Sequence, residues 1–407
     1  MEHFDPEEAI ARVQREFGEH GGVCPSISRS STFTVMTPET MPEIFKGVRG
    51  PDQGGCYLYS RHFNPTVDVL ARYLAAMENT EYAICTASGM AAIACTLLQL
   101  CRQGDHIVAS RTIYGGTHAL LADLLPNWGI SVTFVDPTRA EAFEEAARPE
   151  TRVYYTETVG NPTLGVADIP ALARSARARG ITLVVDNTFT PMVMSPAVMG
   201  ADIVVYSMTK FINGASDLIA GAICARRSFI RQLMDLHTGR AMLLGPTMDP
   251  RAAFDIIQRI PHLAVRMREH GRRAMAIAEH LQTWGLTVTY PGLPAFPQHA
   301  QMRSMMNPGY GWGGMLTIDC GTQKKAEALM DRLQNTERFG FMAVSLGYFD
   351  TLMSCSGSST SSEIDENEQR VMGLSPGLVR LSVGLTGNLE ERLNQLQRAL
   401  QACGLIG

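Results

Sequence analysis

Between Tyr82 and Ala225 the chain alternates short apolar runs with longer amphipathic stretches. The short runs are Tyr82–Thr86, His106–Ser110, Val132–Asp136, Arg152–Thr156, Thr182–Asp186, Ile203–Ser207 and Ala220–Ala225, most of them bounded by Gly, Asp or Pro, as in RQGDHIVAS and RGITLVVDN. Apolar runs of about five residues, rich in β-branched side chains, predict strands buried on both faces. Ala91–Gln103, Ala140–Ala147 and Ile169–Arg179 carry their apolar residues at helical spacing. Strand–helix alternation of this kind predicts an α/β fold, a mostly parallel sheet with helices on both faces. After Gly245-Pro246 the pattern changes. A long helical stretch is predicted from Arg251 to about Trp284, followed by short strands around Thr287–Tyr290, Met315–Asp319 and Val379–Val383 between helices. The expected organisation is an N-terminal arm over 1–56, a large domain over 57–245 and a smaller C-terminal α/β domain over 246–407. Ala9, Val13 and Phe17, four residues apart, predict a helix within the arm.

A chain of 407 residues suits one large domain plus a smaller one. Net charge is −5 with both signs mixed, so no basic stripe marks a nucleic-acid face. No apolar run reaches the roughly 18 residues of a membrane span. The first residues lack the apolar core of a signal peptide, and a cytoplasmic protein is expected. The nine cysteines form no CxxC pair and no cluster with histidine at ligand spacing. Free thiols in a reducing compartment are expected, and no metal site.

The candidate chemistry lies where predicted strands end. Lys210 closes SMTK, at the carboxyl edge of the predicted sheet, where open α/β folds bind ligands. A lone lysine is most often a surface cation. Here Ser207 and Thr209 are hydroxyls spaced to hold a phosphate, and desolvation would lower the lysine pKa from about 10 and make it a Schiff-base nucleophile. Asp186, in VVDNT, either caps the next turn or holds the proton on a pyridine nitrogen. In ASGM, Ser88 is a good N-cap and Gly89 and Met90 open a helix whose free N–H groups favour phosphate. Tyr114, in IYGGT, is either a ring-stacking residue or an exposed turn aromatic. GYGWGG (Gly309 to Gly314) reads as an approach to a strand, since no phosphate-binding helix follows it. Cys85, Cys95 and Cys101 read as buried small apolar residues, Met302–Met306 as a substrate-facing or packing loop, and Ser354–Ser362 as an ordered loop near the site or a plain solvated one.

Taken in order, YSRHFNPT (Tyr59 to Thr66), SGM, YGGT, TETVGNPT (Thr156 to Thr163), VVDNTF, SMTK, AVSLG (Ala343 to Gly347) and GLVRLSVG (Gly377 to Gly384) resemble the Cys/Met-metabolism, or trans-sulfuration, family of pyridoxal-phosphate (PLP) enzymes, over nearly the whole chain. REFGEHGGV, TFTVM, LLGPTM, RIPHLAVRMREH, GFMAVSLGY and LMSCSGSSTSSE are most similar to its plant-type methionine γ-lyase branch. The resemblance implies PLP fold type I, like aspartate aminotransferase, and a homotetramer built as a dimer of dimers. It implies that Lys210 carries the cofactor, Asp186 meets the ring nitrogen, Tyr114 stacks on the ring, and Gly89, Met90, Ser207 and Thr209, beside Ser88, hold the phosphate. Asn161 would lie by the ring hydroxyl. Tyr59 and Arg61 would reach the phosphate of the neighbouring subunit. Arg380, with Ser345, would clamp the substrate carboxylate, Lys210 would move the α-proton, and Tyr114 would protonate the departing thiolate.

The implied activity is α,γ-elimination of methionine or homocysteine, giving methanethiol or sulfide, 2-oxobutanoate and ammonia. Relatives that handle cystathionine carry a glutamate before the serine of SLG. Val344 stands there, and an apolar wall suits a methyl thioether better than a second charged amino-acid group. Gly116 replaces the reactive cysteine of bacterial methionine γ-lyases, His237-Thr238 replaces their Lys-Asp pair, and Tyr206 replaces the usual histidine before the SxTK serine. Three alternatives stay open at this point: γ-replacement on an O-acylhomoserine (sulfhydrylase or cystathionine γ-synthase type), cystathionine γ-lyase, and a non-catalytic binder of PLP or a dinucleotide. The last is disfavoured by the lack of a GxGxxG after an early strand.

Overall fold

The computed structural model describes residues 4–14, 17–46, 48–50, 57–355 and 374–407. Seven strands, β1 (Tyr82–Thr86), β2 (His106–Ser110), β3 (Ser131–Val135), β4 (Thr151–Glu157), β5 (Thr182–Asp186), β6 (Ile203–Ser207) and β7 (Gly221–Ala225), form one sheet in the order β1-β7-β6-β5-β4-β2-β3. The β6-β5-β4-β2-β3 pairings are parallel, while β7 runs antiparallel to both its neighbours. Side chains alternate between the two faces. Leu183, Val185 and Val204 enter one buried cluster with Leu70 and Leu74 of the helix Pro65–Glu78 and Leu172 of the helix Ile169–Arg179. Val184, Ile203 and Val205 enter the other with Ile93 and Leu97 of the helix Gly89–Leu100. Both sheet faces are thus covered, which is why the strands read as unbroken apolar runs.

A second sheet of five strands runs β10 (Phe341–Met342), β11 (Leu352–Cys355), β12 (Leu378–Ser382), β9 (Met315–Asp319), β8 (Thr287–Thr289). Its core includes Leu316, Ile318, Val379 and Leu381, packed against Ile277 and Leu281 of the helix Leu263–Thr283 and Leu396 of the helix Leu389–Ala402. The change of pattern at 245–246 falls between the two sheets, and we propose it as the boundary of the large and small domains.

Several expectations need correcting. The long helical stretch from Arg251 to about Trp284 is not continuous: it is two helices, Pro250–Arg259 and Leu263–Thr283, joined by a short turn Ile260–His262. Pro261 has no N–H to give and its ring crowds the preceding turn, so the helix cannot run through. Met302–Met306 is not a loop. Met302 and Met305 lie on the helix His299–Met305 and are buried in the first core cluster. The arm helix ends at Val13 and leaves Phe17 exposed. Strands β10 and β11 were not predicted. Of Ser354–Ser362, only Ser354 and Cys355 belong to the described residues, in β11.

One buried polar cluster sits behind the ends of β5 and β6. The Glu78 carboxyl accepts from Tyr206 Oη and, at 3.1 Å, from Asn187 Nδ2, which also reaches Tyr206 Oη at 2.7 Å and Met194 O at 2.9 Å. Burial pushes Glu78 up to about 7, against the pull of Tyr206 and Asn187. The folded chain therefore keeps this proton where the unfolded chain, ordinary for glutamate, releases it. Stability from the site is full below about pH 4.5 and is lost as pH rises toward 7, by about 3 kcal/mol from a shift of this size. Glu78→Gln keeps the shape without the titration. Its urea midpoint is expected to gain on the parent between pH 5 and pH 8, other titrating groups cancelling in the comparison. An equal difference at both pH values would contradict a titrating Glu78.

Candidate active site

At the carboxyl edge of the seven-stranded sheet a cavity of about 260 Å³ opens between the two sheets. Ser88, Gly89, Met90, Tyr114, Asn161, Asp186, Ser207, Thr209, Lys210, Val344 and Arg380, separated by up to 292 positions in the sequence, all line it. Ser345 joins them through the lysine, whose Nζ donates to Ser345 Oγ at 2.8 Å. Tyr59 and Arg61 do not line this cavity. Arg61 Nη1 donates to Met242 O at 2.8 Å, and its guanidinium lies over the Tyr59 ring, 5.6 Å from the centroid.

Lys210 follows β6 in a tight turn. Burial, with Arg380 nearby, lowers its pKa to about 8, so the free amine is accessible near neutrality. From this amine a continuous set of contacts circles the cavity. Arg380 Nη2 donates to Ser345 O at 3.2 Å and its Nη1 to Asn161 Oδ1 at 2.9 Å. The Asn161 N–H donates to Glu157 Oε2 at 3.0 Å, and the Tyr114 N–H to Glu157 Oε1 at 2.8 Å. Arg380 is buried, which lowers its pKa to about 10, with Glu157 pulling the other way. Its hydrogen-bond acceptors are neutral oxygens, so an incoming carboxylate would supply the charge that this site lacks.

Glu157, which the sequence does not single out, also lines the cavity. It ends β4 in register with Asp186 at the end of β5, which puts two buried carboxylates side by side. Burial raises both, Asp186 to about 6 even though Thr188 hydrogen bonds favour its ionised form, and Glu157 well above its ordinary value with Asp186 adding to the rise. Thr188 also went unnoticed. Its N–H donates to Asp186 Oδ1 at 2.9 Å, and its Oγ1 accepts from the Ser207 N–H at 2.8 Å. A polar residue closing an apolar strand was the available signal for Glu157, but the register that pairs it with Asp186 is a three-dimensional fact.

The opposite wall is the start of the helix Gly89–Leu100. Ser88 Oγ caps it, accepting from the Ala91 N–H at 3.1 Å. A Cβ at Gly89 would fall 2.7 Å from Ser207 Cβ, so only glycine lets the helix start approach the end of β6 this closely. Thr209 Oγ1 is tied to Ala220, accepting from its N–H at 3.0 Å. The first N–H groups of the helix thus open onto the same end of the cavity as Ser207 and Thr209, a setting that favours phosphate.

An amine poised to condense with an aldehyde, a carboxylate beside a heterocyclic nitrogen and a helix start for a phosphate are together the demands of PLP. Residues 8–401 match the family described as Cys/Met metabolism PLP-dependent enzyme, and the chain belongs to that family. It is a PLP enzyme of fold type I. The chain is 55% identical over 397 residues to methionine gamma-lyase of Arabidopsis thaliana, covering 97% of this chain and 90% of that one. It is 36% identical over 389 residues to L-methionine gamma-lyase of Pseudomonas putida, covering 94% of each. Among solved structures it superposes with a TM-score of 0.89, at 25% identity and over 98% of this chain and 100% of the other, on a protein described as an O-acetylhomoserine (thiol)-lyase from Campylobacter jejuni that carries a pyridoxyl-lysine monophosphate. No helix among the described residues is long and apolar enough to cross a membrane.

Proposed function

We propose that this enzyme is a carbon–sulfur lyase that eliminates the γ-sulfur of methionine or homocysteine, releasing methanethiol or sulfide, 2-oxobutanoate and ammonia. The observation that carries this reading is the pairing, in one cavity, of the buried Arg380 with an apolar lining in which Leu346 and Phe189 are buried and Val344 and Ile219 are exposed. The arginine suits an amino-acid carboxylate, and the lining suits a methyl thioether. A second charged amino-acid group, as in cystathionine, would lack a partner in that lining. The names of the Arabidopsis and Pseudomonas relatives support the same activity. Apolar walls separate homologous substrates by only about 1–3 kcal/mol per methylene, so neighbouring thioethers are expected to react too.

In this reading Lys210 holds PLP, with Asp186 at its ring nitrogen, Asn161 near its ring hydroxyl, Tyr114 against its face, and Ser88, Gly89, Met90, Ser207 and Thr209 around its phosphate. Bound PLP supplies an electron sink for the negative charge left when the α-proton departs. Arg380 and Ser345 fix the substrate carboxylate and so aim the α-hydrogen at Lys210. Lys210 Nζ takes that proton and later moves protons at the neighbouring carbons. The Tyr114 hydroxyl gives a proton to the departing sulfur. Water then replaces nitrogen in the product, which balances methionine and water against methanethiol, 2-oxobutanoate and ammonia.

Tyr59 and Arg61 belong, in the same proposal, to the cavity of a neighbouring copy within a homotetramer. What supports this is that Arg61 does not line its own cavity, while Tyr59, Leu243 and Leu244 near it are exposed. Arg61→Ala is expected to weaken PLP binding about tenfold or more, the scale of one charged hydrogen bond to phosphate. Equilibrium dialysis measures it, and unchanged affinity would remove Arg61 from the phosphate site.

The activity itself is tested by incubating the purified enzyme with L-methionine alone and measuring methanethiol and 2-oxobutanoate in equal amounts. Release only when a thiol and an O-acylhomoserine are supplied would favour the γ-replacement reading, the type of reaction named for the Campylobacter protein.

A further inference from the structure

The turn that carries Lys210 has no strand or helix partner to satisfy its backbone, and a buried carbonyl must find a donor somewhere. Lys210 O accepts from the Gly214 N–H at 2.8 Å. The next two carbonyls are served by one side chain. Arg266 Nη1 donates to Phe211 O and its Nη2 to Ile212 O at 2.8 Å. Arg266 belongs to the helix Leu263–Thr283, which packs on the five-stranded sheet, and is only 5% exposed. No carboxylate pairs with it among the described residues. Its other contacts are Arg259 O at 3.3 Å, His262 Nδ1 at 2.9 Å and the Phe349 ring, 5.9 Å from its Cζ. Burial, with Arg259 nearby, lowers its pKa to about 10. Burying a cation against neutral acceptors is costly, and an apolar side chain would fill the same volume without that cost.

The same helix also touches the substrate-clamp strand. Four residues after Arg266, His270 Nδ1 lies 2.6 Å from Val383 O, next to the end of β12, which carries Arg380. The packing around the turn leaves no slack. A Cβ at Gly214 would lie 2.6 Å from Arg266 Nη1, and one at Gly347 would lie 2.4 Å from Phe211 N. Phe349 N–H donates to Gly214 O at 3.0 Å, which ties the segment holding Ser345 to the same turn.

We propose that Arg266 is a positioning residue, which pins the Phe211 and Ile212 carbonyls to the Leu263–Thr283 helix and so keeps Lys210 Nζ in register with Ser345 and Arg380. The inference rests on the proposed role of Lys210 and adds a residue that touches neither substrate nor cofactor. An error of about 1 Å in a reacting group costs on the order of 100-fold in rate.

The test uses the PLP-loaded full chain with Arg266→Met, which fills the volume without donors, and Arg266→Lys, which keeps a cation able to serve one carbonyl. For Arg266→Met, kcat is expected to fall about 30-fold or more with KM within about threefold. Amide hydrogen exchange in peptides spanning 208–216 is expected to quicken about tenfold while the helix Pro65–Glu78 exchanges as before. Arg266→Lys should lie between the two, and it stands in if the Met variant does not fold. Parental exchange rates at 208–216 in the variant, or a loss confined to KM, would overturn the proposal. The exchange measurement needs no turnover. A parental enzyme that releases no methanethiol would therefore sink the proposed activity and leave this test intact.

Discussion

Lys210→Ala is expected to lower methanethiol release from methionine by about 10⁴-fold or more, since it removes both the cofactor's attachment point and the proton carrier. The chain itself should tolerate the change. Among the described residues the amine has one hydrogen bond, to Ser345 Oγ, and its burial already disfavours the charged form. Melting temperatures of the cofactor-free parent and variant should agree within about 2 °C, since roughly 1 kcal/mol shifts a chain of more than about 250 residues by no more than that. Single-turnover assays and a thermal melt measure the two quantities. A variant that keeps a tenth of the parental rate would assign the base to another residue.

Arg380→Ala carries the second-largest expected effect, and it acts on a different parameter. Loss of one partner from a buried, hydrogen-bonded charge pair costs about 2–5 kcal/mol. That corresponds to roughly 30-fold to several thousand-fold in kcat/KM. Most of the loss should appear as a raised KM, because the carboxylate is held before and during the reaction. PLP affinity should stay close to that of the parent, since Arg380 reaches Asn161 Oδ1 and Ser345 O rather than the helix start or Asp186. Asn161 complicates the substitution, because its oxygen loses a donor. Arg380→Lys separates the two effects by keeping the charge without the fork that holds two acceptors.

The two substitutions together probe a circuit rather than two isolated groups. Lys210, Ser345, Arg380, Asn161, Glu157 and Tyr114 form one chain of contacts, with a single carboxylate holding the loops after β2 and β4. Substitutions inside the circuit are close enough to couple, so the Lys210 and Arg380 effects need not add when combined.

Much of this is legible in the amino-acid sequence. The seven strands of the large sheet lie within a residue of their predicted positions because all but the edge strand β3, which is half-buried, are largely buried on both faces and read as apolar runs. The small sheet was harder. Its β10 and β11 are short, and β10 leaves Phe341 and Met342 exposed, so no alternation marks it. Pro261 announced the break in the long helix, but strong helical spacing on both sides masked it. At the site, the residues found were those that end strands with an unusual side chain or sit in a recognisable motif. Glu157 needed the β4–β5 register, and Arg266 needed the approach of a helix more than fifty residues from the turn it serves. The RIPHLAVRMREH segment was conspicuous as a pattern and mute as chemistry, because its arginine acts on backbone carbonyls, which no sequence pattern displays.

In the proposed enzyme one amine, the side chain of residue 210, forms an imine with the aldehyde of PLP. Borohydride reduction of the loaded enzyme, followed by proteolysis and mass spectrometry, tests it most directly. The expected result is a single phosphopyridoxyl group on Lys210, in a peptide containing SMTK. A label on Lys46, Lys324 or Lys325, or no label in an enzyme that still consumes methionine, would contradict it.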